Sequence, residues 1–171
     1  MVGYLVNYQK FSPVIDDCTF IADNAYIIGK VFIKKNVNIW YNTVLRGDVG
    51  EIHIDYGTNV QDGTIIHVDR NNGNTIIGKM VTIGHCVILH ACTIFDKVFI
   101  GMGSIVMDNA VMEEYSMLAA GSLLTKGKIV KSGELWSGRP AKFFRKLSSE
   151  EMLHINESAN NYIALSHEYL K

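Results

Sequence analysis

The chain has 171 residues, 48% of them apolar and 19% charged, with a formal net charge of −1. This is one domain of ordinary size with enough apolar side chains for a substantial core, which sets it apart from disordered chains. The charge balance gives no general attraction to nucleic acid or anionic membrane, and no apolar run approaches the roughly 20 residues a membrane span needs.

The first ten residues, MVGYLVNYQK, lack both a basic start and a long apolar stretch, so no secretory signal is expected there. Residues 1–14 read as a lead-in segment. The repeats run from residue 15 to residue 130, where aliphatic side chains recur every six positions in four runs. These are Ile21, Ile27, Ile33, Ile39 and Leu45; then Ile54, Val60 and Ile66; then Ile77, Ile83 and Leu89; then Ile94, Ile100, Val106, Met112, Leu118 and Leu124. A period of six matches neither a helix nor one long strand. It matches a coil of three short flat strands per rung, each turning one aliphatic residue into a shared core, and stacked rungs bury what one arc cannot. Ala25, Val31, Val37, Thr43, Val81, Val87 and Val98, two positions before the corners, are small or β-branched and suit a narrow interior. Gly29, Gly78, Gly84 and Gly101 neighbour the corners, where unusual backbone angles are expected.

Cys18, Cys86 and Cys92 are an odd, scattered set that implies no disulfide framework and suits a reducing cytoplasm. Cys86 and Cys92 read as small, interior-compatible residues of the coil, with soft metal ligation as the alternative.

Residues 131–147 are expected to leave the coil, with Gly138-Arg139-Pro140-Ala141 as a turn with no room for a strand. A terminal helix follows. Ser148 can cap it and Glu151 completes a capping box. Met152, Ile155, Ala159, Tyr162 and Tyr169 fall on one helical face and are expected to pack on the coil. The organisation is therefore a β-helix domain over residues 1–147 and a packed helix over 148–171.

The six-residue count breaks three times. Leu45 to Ile54 is nine residues, Ile66 to Ile77 eleven and Leu89 to Ile94 five. Insertions in such coils become loops on one face, often the binding face. Asn71-Asn72-Gly73-Asn74 marks a turn inside the longest of them.

Numbering the corners consecutively puts Leu45, Ile66 and Leu89 three corners apart, on one edge of a triangular prism. Arg46, His67 and His90 follow them and form a column. Val60 and Ile83 stack on another edge, and bring Gln61, Asp62 and His85 into a second column. Rungs lie roughly 4.8 Å apart, so the imidazoles of His67 and His90 can converge on one ion. His85, on another edge, reaches such an ion only from a neighbouring chain. A cyclic trimer with three shared sites satisfies this, and three neutral imidazoles with an open position are the ligand set of a catalytic zinc. His53, His154 and His167 read as ordinary surface or core histidines.

The stretches Trp40-Tyr41-Asn42-Thr43-Val44-Leu45-Arg46-Gly47-Asp48, Asn59-Val60-Gln61-Asp62-Gly63-Thr64-Ile65-Ile66-His67 and Ile83-Gly84-His85 through Leu89-His90 resemble the gamma-class carbonic anhydrases. The resemblance runs from about residue 12 through the terminal helix. The repeat alone is shared with many acyltransferases; the Arg-Gly-Asp, Gln-Asp and triple-histidine set together is specific. It implies a left-handed parallel β-helix that forms a homotrimer. The metal, zinc or ferrous iron with cobalt also suited to such ligands, would lie between subunits on His67 and His90 of one chain and His85 of the next. The handedness comes from the resemblance alone, since the general rule for parallel crossovers favours the opposite hand.

The activity implied is reversible hydration of carbon dioxide to bicarbonate by a hydroxide generated on the metal near neutral pH. By the same resemblance Gln61 positions that hydroxide. Arg46 and Asp62 pair across the interface, with Asp48 in the same polar cluster. Tyr162 resembles an active-site tyrosine of some members. Asp48 is followed by Val49, so the acidic loop of the active branch is absent, Asp69 and Glu51 are not its clear equivalents, and slow proton transfer is expected. The sequence resembles the shorter branch, some of whose members are called hexapeptide transferases. Three other functions stay open: a thioesterase-like hydrolase using the same site, an acyltransferase with one histidine as general base, and a non-catalytic trimer.

Overall fold

The six-residue rhythm folds into a parallel β-solenoid, a left-handed β-helix of about seven turns with one C-terminal helix. The computed structural model describes residues 3–71 and 73–170. Asn72, in the middle of the predicted Asn71–Asn74 turn, lies outside the described residues, as do Met1, Val2 and Lys171.

Parallel pairing at equal phase carries the aliphatic runs into three continuous columns. Ile27, Leu45, Ile66, Leu89, Val106 and Leu124 stack along one edge, all fully buried. Ile33, Ile54, Ile77, Ile94, Met112 and Val130 form the second. Ile21, Ile39, Val60, Ile83, Ile100 and Leu118 form the third. The small residues Ala25, Val31, Val37, Thr43, Val81, Val87 and Val98 fill the space between, each 0% exposed. Truncating a side chain in such a column leaves a cavity that costs about 2–5 kcal/mol.

Many strands are joined by two-residue turns whose second residue has a left-handed φ, as at Asn42 (59°), Gly63 (72°), Cys86 (57°), Gly103 (69°) and Asn109 (56°). For a residue with a side chain this costs about 1–2 kcal/mol. A ladder of turn hydrogen bonds offsets the cost: Gly63 N donates to Tyr41 O at 2.8 Å, Cys86 N to Asp62 O at 2.8 Å and Gly103 N to His85 O at 2.7 Å. Of the glycines expected to need unusual angles, only Gly29 has one (φ 73°). Gly78, Gly84 and Gly101 serve close approach instead. A Cβ on Gly84 would lie 2.6 Å from Met102 N, and one on Gly101 would run into the Ala120 amide nitrogen.

Three boundaries differ from expectation. The lead-in segment belongs to the coil, because Tyr4–Val6 pairs in parallel with Tyr26–Ile28. The nine-residue interval from Leu45 to Ile54 is no loop but part of one strand, Val44–Ile54, that runs across a corner. Residues 131–147 do not leave the coil at once: Glu134–Gly138 pairs in parallel with Met117–Leu118, and Ala141–Lys146 then returns antiparallel to it. The turn between them, Arg139-Pro140, is where expected.

The helix, α1 (Ser149–Tyr169), starts with the complete capping box of Ser148 and Glu151. It lies against the third face and buries Ile155 and Ala159 completely. Its C-terminal end meets an aromatic cluster, where Trp40 packs edge-on against Tyr162 at 5.6 Å and Tyr169 at 5.3 Å.

Candidate metal and active site

The edge carrying Leu45, Ile66 and Leu89 presents the next residue of each strand outward, so His67 and His90 are paired in register one rung apart. Their rings meet. His67 Nδ1 lies 3.2 Å from His90 Nε2, with both side chains partly buried. The outer nitrogen of each ring is held by a carboxylate: His67 Nε2 by Asp48 Oδ1 at 3.0 Å and His90 Nδ1 by Asp108 Oδ1 at 2.6 Å. Asp48 is also paired with Arg46 and accepts from the Val49 amide.

Partial burial works against both carboxylates, yet their pKa values are lowered. At Asp48 the His67 hydrogen bond, the Val49 amide and Arg46 outweigh burial. At Asp108 the His90 hydrogen bond and charge, the residue's own backbone amide and Lys126 together outweigh it. Ionised carboxylates only accept. On a neutral imidazole each therefore takes the ring N–H on the outer side and leaves the inner nitrogen as a lone pair. Two lone pairs facing one another repel unless a cation lies between them. On a tetrahedral ion with metal–nitrogen distances of about 2.0–2.1 Å, two ligand nitrogens sit roughly 3.3–3.4 Å apart. The observed 3.2 Å and the two outer carboxylates make this donor pair fit a divalent metal.

Among the described residues no three His, Cys, Asp or Glu side chains of one chain converge. His85 stands apart, in the second column, with its Nδ1 2.9 Å from Asp62 Oδ2 and both side chains some two-fifths exposed. Asp62 also accepts from the Tyr41 amide at 3.3 Å. Within the chain Arg46 pairs with Asp48.

Gln61 is 6% exposed and donates through Nε2 to Asn59 Oδ1 at 3.0 Å. Tyr162, on α1, has its phenol pKa raised by burial and secondarily by the charge of Asp62. It therefore belongs to the second column's surroundings, while its ring packs on Trp40.

The cysteines divide. Cys92 is interior, as expected, and burial pushes its thiol up to about 12. Cys86 is exposed on a left-handed turn rather than interior. Glu51 faces away from the site and pairs with His53, which stacks on Phe32. Asp69 lines a polar recess of about 160 Å³ together with Asp108 and Lys126.

Asp108 is the residue that sequence reasoning missed. The rung above His90 offers Met107 at the equivalent corner position, and Asp108 comes one residue later, in a turn. The signal was available in the numbering of corners, since Val106 stacks on Leu89.

A coil of this kind defines a hexapeptide-repeat protein, here with paired, carboxylate-backed histidines along one edge. The chain is 39% identical over 156 residues to a carbonic anhydrase of Geobacillus kaustophilus, covering 91% of this chain and 85% of the relative. It is 46% identical over 167 residues to the mitochondrial gamma carbonic anhydrase 2 of Arabidopsis thaliana, and spans 95% of its own length but only 60% of that protein. The solved structure of a hexapeptide transferase family protein from Anaplasma phagocytophilum superposes with a TM-score of 0.94 at 63% identity, covering 97% of this chain and 98% of that one. No protein-family model matches. The chain belongs to the gamma carbonic anhydrase family.

Proposed function

We propose that the protein hydrates carbon dioxide reversibly to bicarbonate at a divalent metal site completed between chains of a homotrimer. The observation that carries this is the His67–His90 pair, 3.2 Å apart and backed by Asp48 and Asp108. These two residues would hold zinc or ferrous iron, with His85 of the adjacent chain as third ligand. When bound, the metal supplies a Lewis acid that brings the ionisation of water down to near neutral pH.

The chain's own residues do the rest. Asp48 and Asp108 fix the tautomers of His67 and His90, so that each offers a lone pair inward. Arg46 holds Asp48 ionised. Gln61, with one N–H committed to Asn59, keeps its carbonyl oxygen free to accept a hydrogen bond from the attacking oxygen. Asp62 orients His85 through Nδ1, and Tyr162 shields that corner from water. With no acidic loop after Asp48, proton release to solvent limits turnover.

The relatives' names support this chemistry, and the Anaplasma structure's name supports a second one, acyl transfer at the same interface. Stopped-flow hydration of carbon dioxide with zinc, and anaerobically with ferrous iron, separates them. Metal-dependent turnover that disappears in His90→Ala is expected. Acyl transfer that survives a strong chelator, with no hydration, would replace the proposal. Among the described residues no helix is long and apolar enough to cross a membrane.

A further inference from the structure

Gln61 is the end of a hydrogen-bond chain that crosses the wall of the coil. Its Nε2 donates to Asn59 Oδ1 at 3.0 Å. Asn59, fully buried, donates through Nδ2 to Thr82 Oγ1 at 2.9 Å and to the Val81 carbonyl at 3.3 Å. A backbone carbonyl accepts only, so the Asn59 amide cannot flip without setting two oxygens against each other. Thr82, 1% exposed and already accepting from Asn59, gives its hydroxyl proton to Ser158 Oγ at 3.1 Å. Ser158 lies on α1, 76 residues further along the chain.

We infer that Ser158 and Thr82 are positioning residues for the site, and that α1 sets the orientation of the Gln61 carboxamide through them. Every link runs in one direction. Ser158 accepts the Thr82 proton, Thr82 accepts from Asn59, and Asn59 offers its oxygen to Gln61. The Gln61 amide must then turn its N–H toward Asn59 and leave Oε1 as the free acceptor. Without Ser158 the Thr82 hydroxyl proton loses its outward partner and swings back toward Asn59, where it competes with Nδ2. Ile155 and Ala159, both fully buried, lie on the same helix three residues before and one residue after Ser158, so apolar packing holds the acceptor in place. The catalytic consequence holds only where Gln61 orients the attacking oxygen, as proposed above.

Side-chain amide hydrogen exchange in the metal-free, full-length protein, read by nitrogen-15 NMR, tests the chain independently of any activity. In Thr82→Val and Ser158→Ala, the Gln61 amide is expected to exchange at least about fivefold faster, the factor one net hydrogen bond carries. The backbone amides of Asn59 and Val60 keep their wild-type rates, and Thr82→Ser, which retains the hydroxyl, behaves as wild type. In the metal-loaded protein the first two variants lose a similar factor in kcat and Thr82→Ser restores it. Unchanged Gln61 exchange in Ser158→Ala and Thr82→Val overturns the inference, and Ser158→Ala, at a half-buried helix position, decides it if Thr82→Val does not fold. A wild-type Gln61 amide protected by this chain in a protein that hydrates no carbon dioxide supports the chain and overturns the carbonic anhydrase proposal instead.

Discussion

His90 Nδ1 lies 2.6 Å from Asp108 Oδ1, a contact between one rung of the coil and the turn of the next. A carboxylate bound to the far nitrogen of a ligand histidine fixes the ring and makes its inner nitrogen more basic. Asp108→Ala should weaken metal binding about 10–100-fold. Competition with a calibrated chelator measures this directly, and an unchanged dissociation constant would show that His90 needs no such support.

If each site takes His67 and His90 from one chain and His85 from the next, damaged chains should complement each other. His85→Ala and His90→Ala homotrimers are each expected to lose metal and hydration activity. The trimers formed on equal co-expression should together recover about a quarter of the sites, roughly one in three within each mixed trimer, because only one interface there pairs an intact face from each variant. Zero recovery in verified mixed trimers would place all ligands in one chain.

Glu151 makes a two-pronged pair with Arg145 at 2.7 and 2.8 Å and accepts from the Ser148 amide at 2.9 Å. The Arg145 pair above all, then the Ser148 amide, lowers its pKa to about 2. The folded value is below the unfolded one, so the stabilisation is present above the ordinary glutamate range and is lost as pH falls toward 2. Thermal midpoints measured from pH 6 down to pH 2 should therefore drop more steeply for the wild type than for Glu151→Gln. Parallel curves would mean the pair contributes nothing to the docked helix.

Close stacking makes specific glycines indispensable. Gly84→Ala would drive a Cβ to 2.6 Å from Met102 N and 2.9 Å from Ile100 O, both rigid backbone. A loss of about 1–3 kcal/mol is expected in chemical unfolding. Gly103→Ala meets open space and carries only the strain of φ 69°, about 1 kcal/mol. Equal losses at the two positions would mean that rungs can spread to admit a methyl group.

The aliphatic period of six was enough to place His67 over His90 and Gln61 in His85's column. Parallel strands paired without slippage carry residues of equal phase into one line, so counting corners is a three-dimensional measurement. The capping box of α1 was equally legible, because it depends on residues three apart. The period could not say that Leu45–Ile54 continues as one strand, since an insertion can be looped out or absorbed across a corner. It also could not separate glycines that need a left-handed φ from those that need a bare Cα, because that depends on what the next rung puts opposite.

By itself, then, the sequence determined the coil, its three faces and the histidine column, all consequences of a local repeat. Only the tertiary structure decided that Asp108 reaches back to His90 and that Ser158 closes the chain to Gln61. The first depends on a turn side chain folding down one rung. The second depends on the docking of α1 against Thr82. The corner count brings Asp108 near His90 but does not say which way its side chain turns, and the Ser158 contact has no period to betray it, because it joins segments whose relative placement is fixed by packing rather than by spacing along the chain.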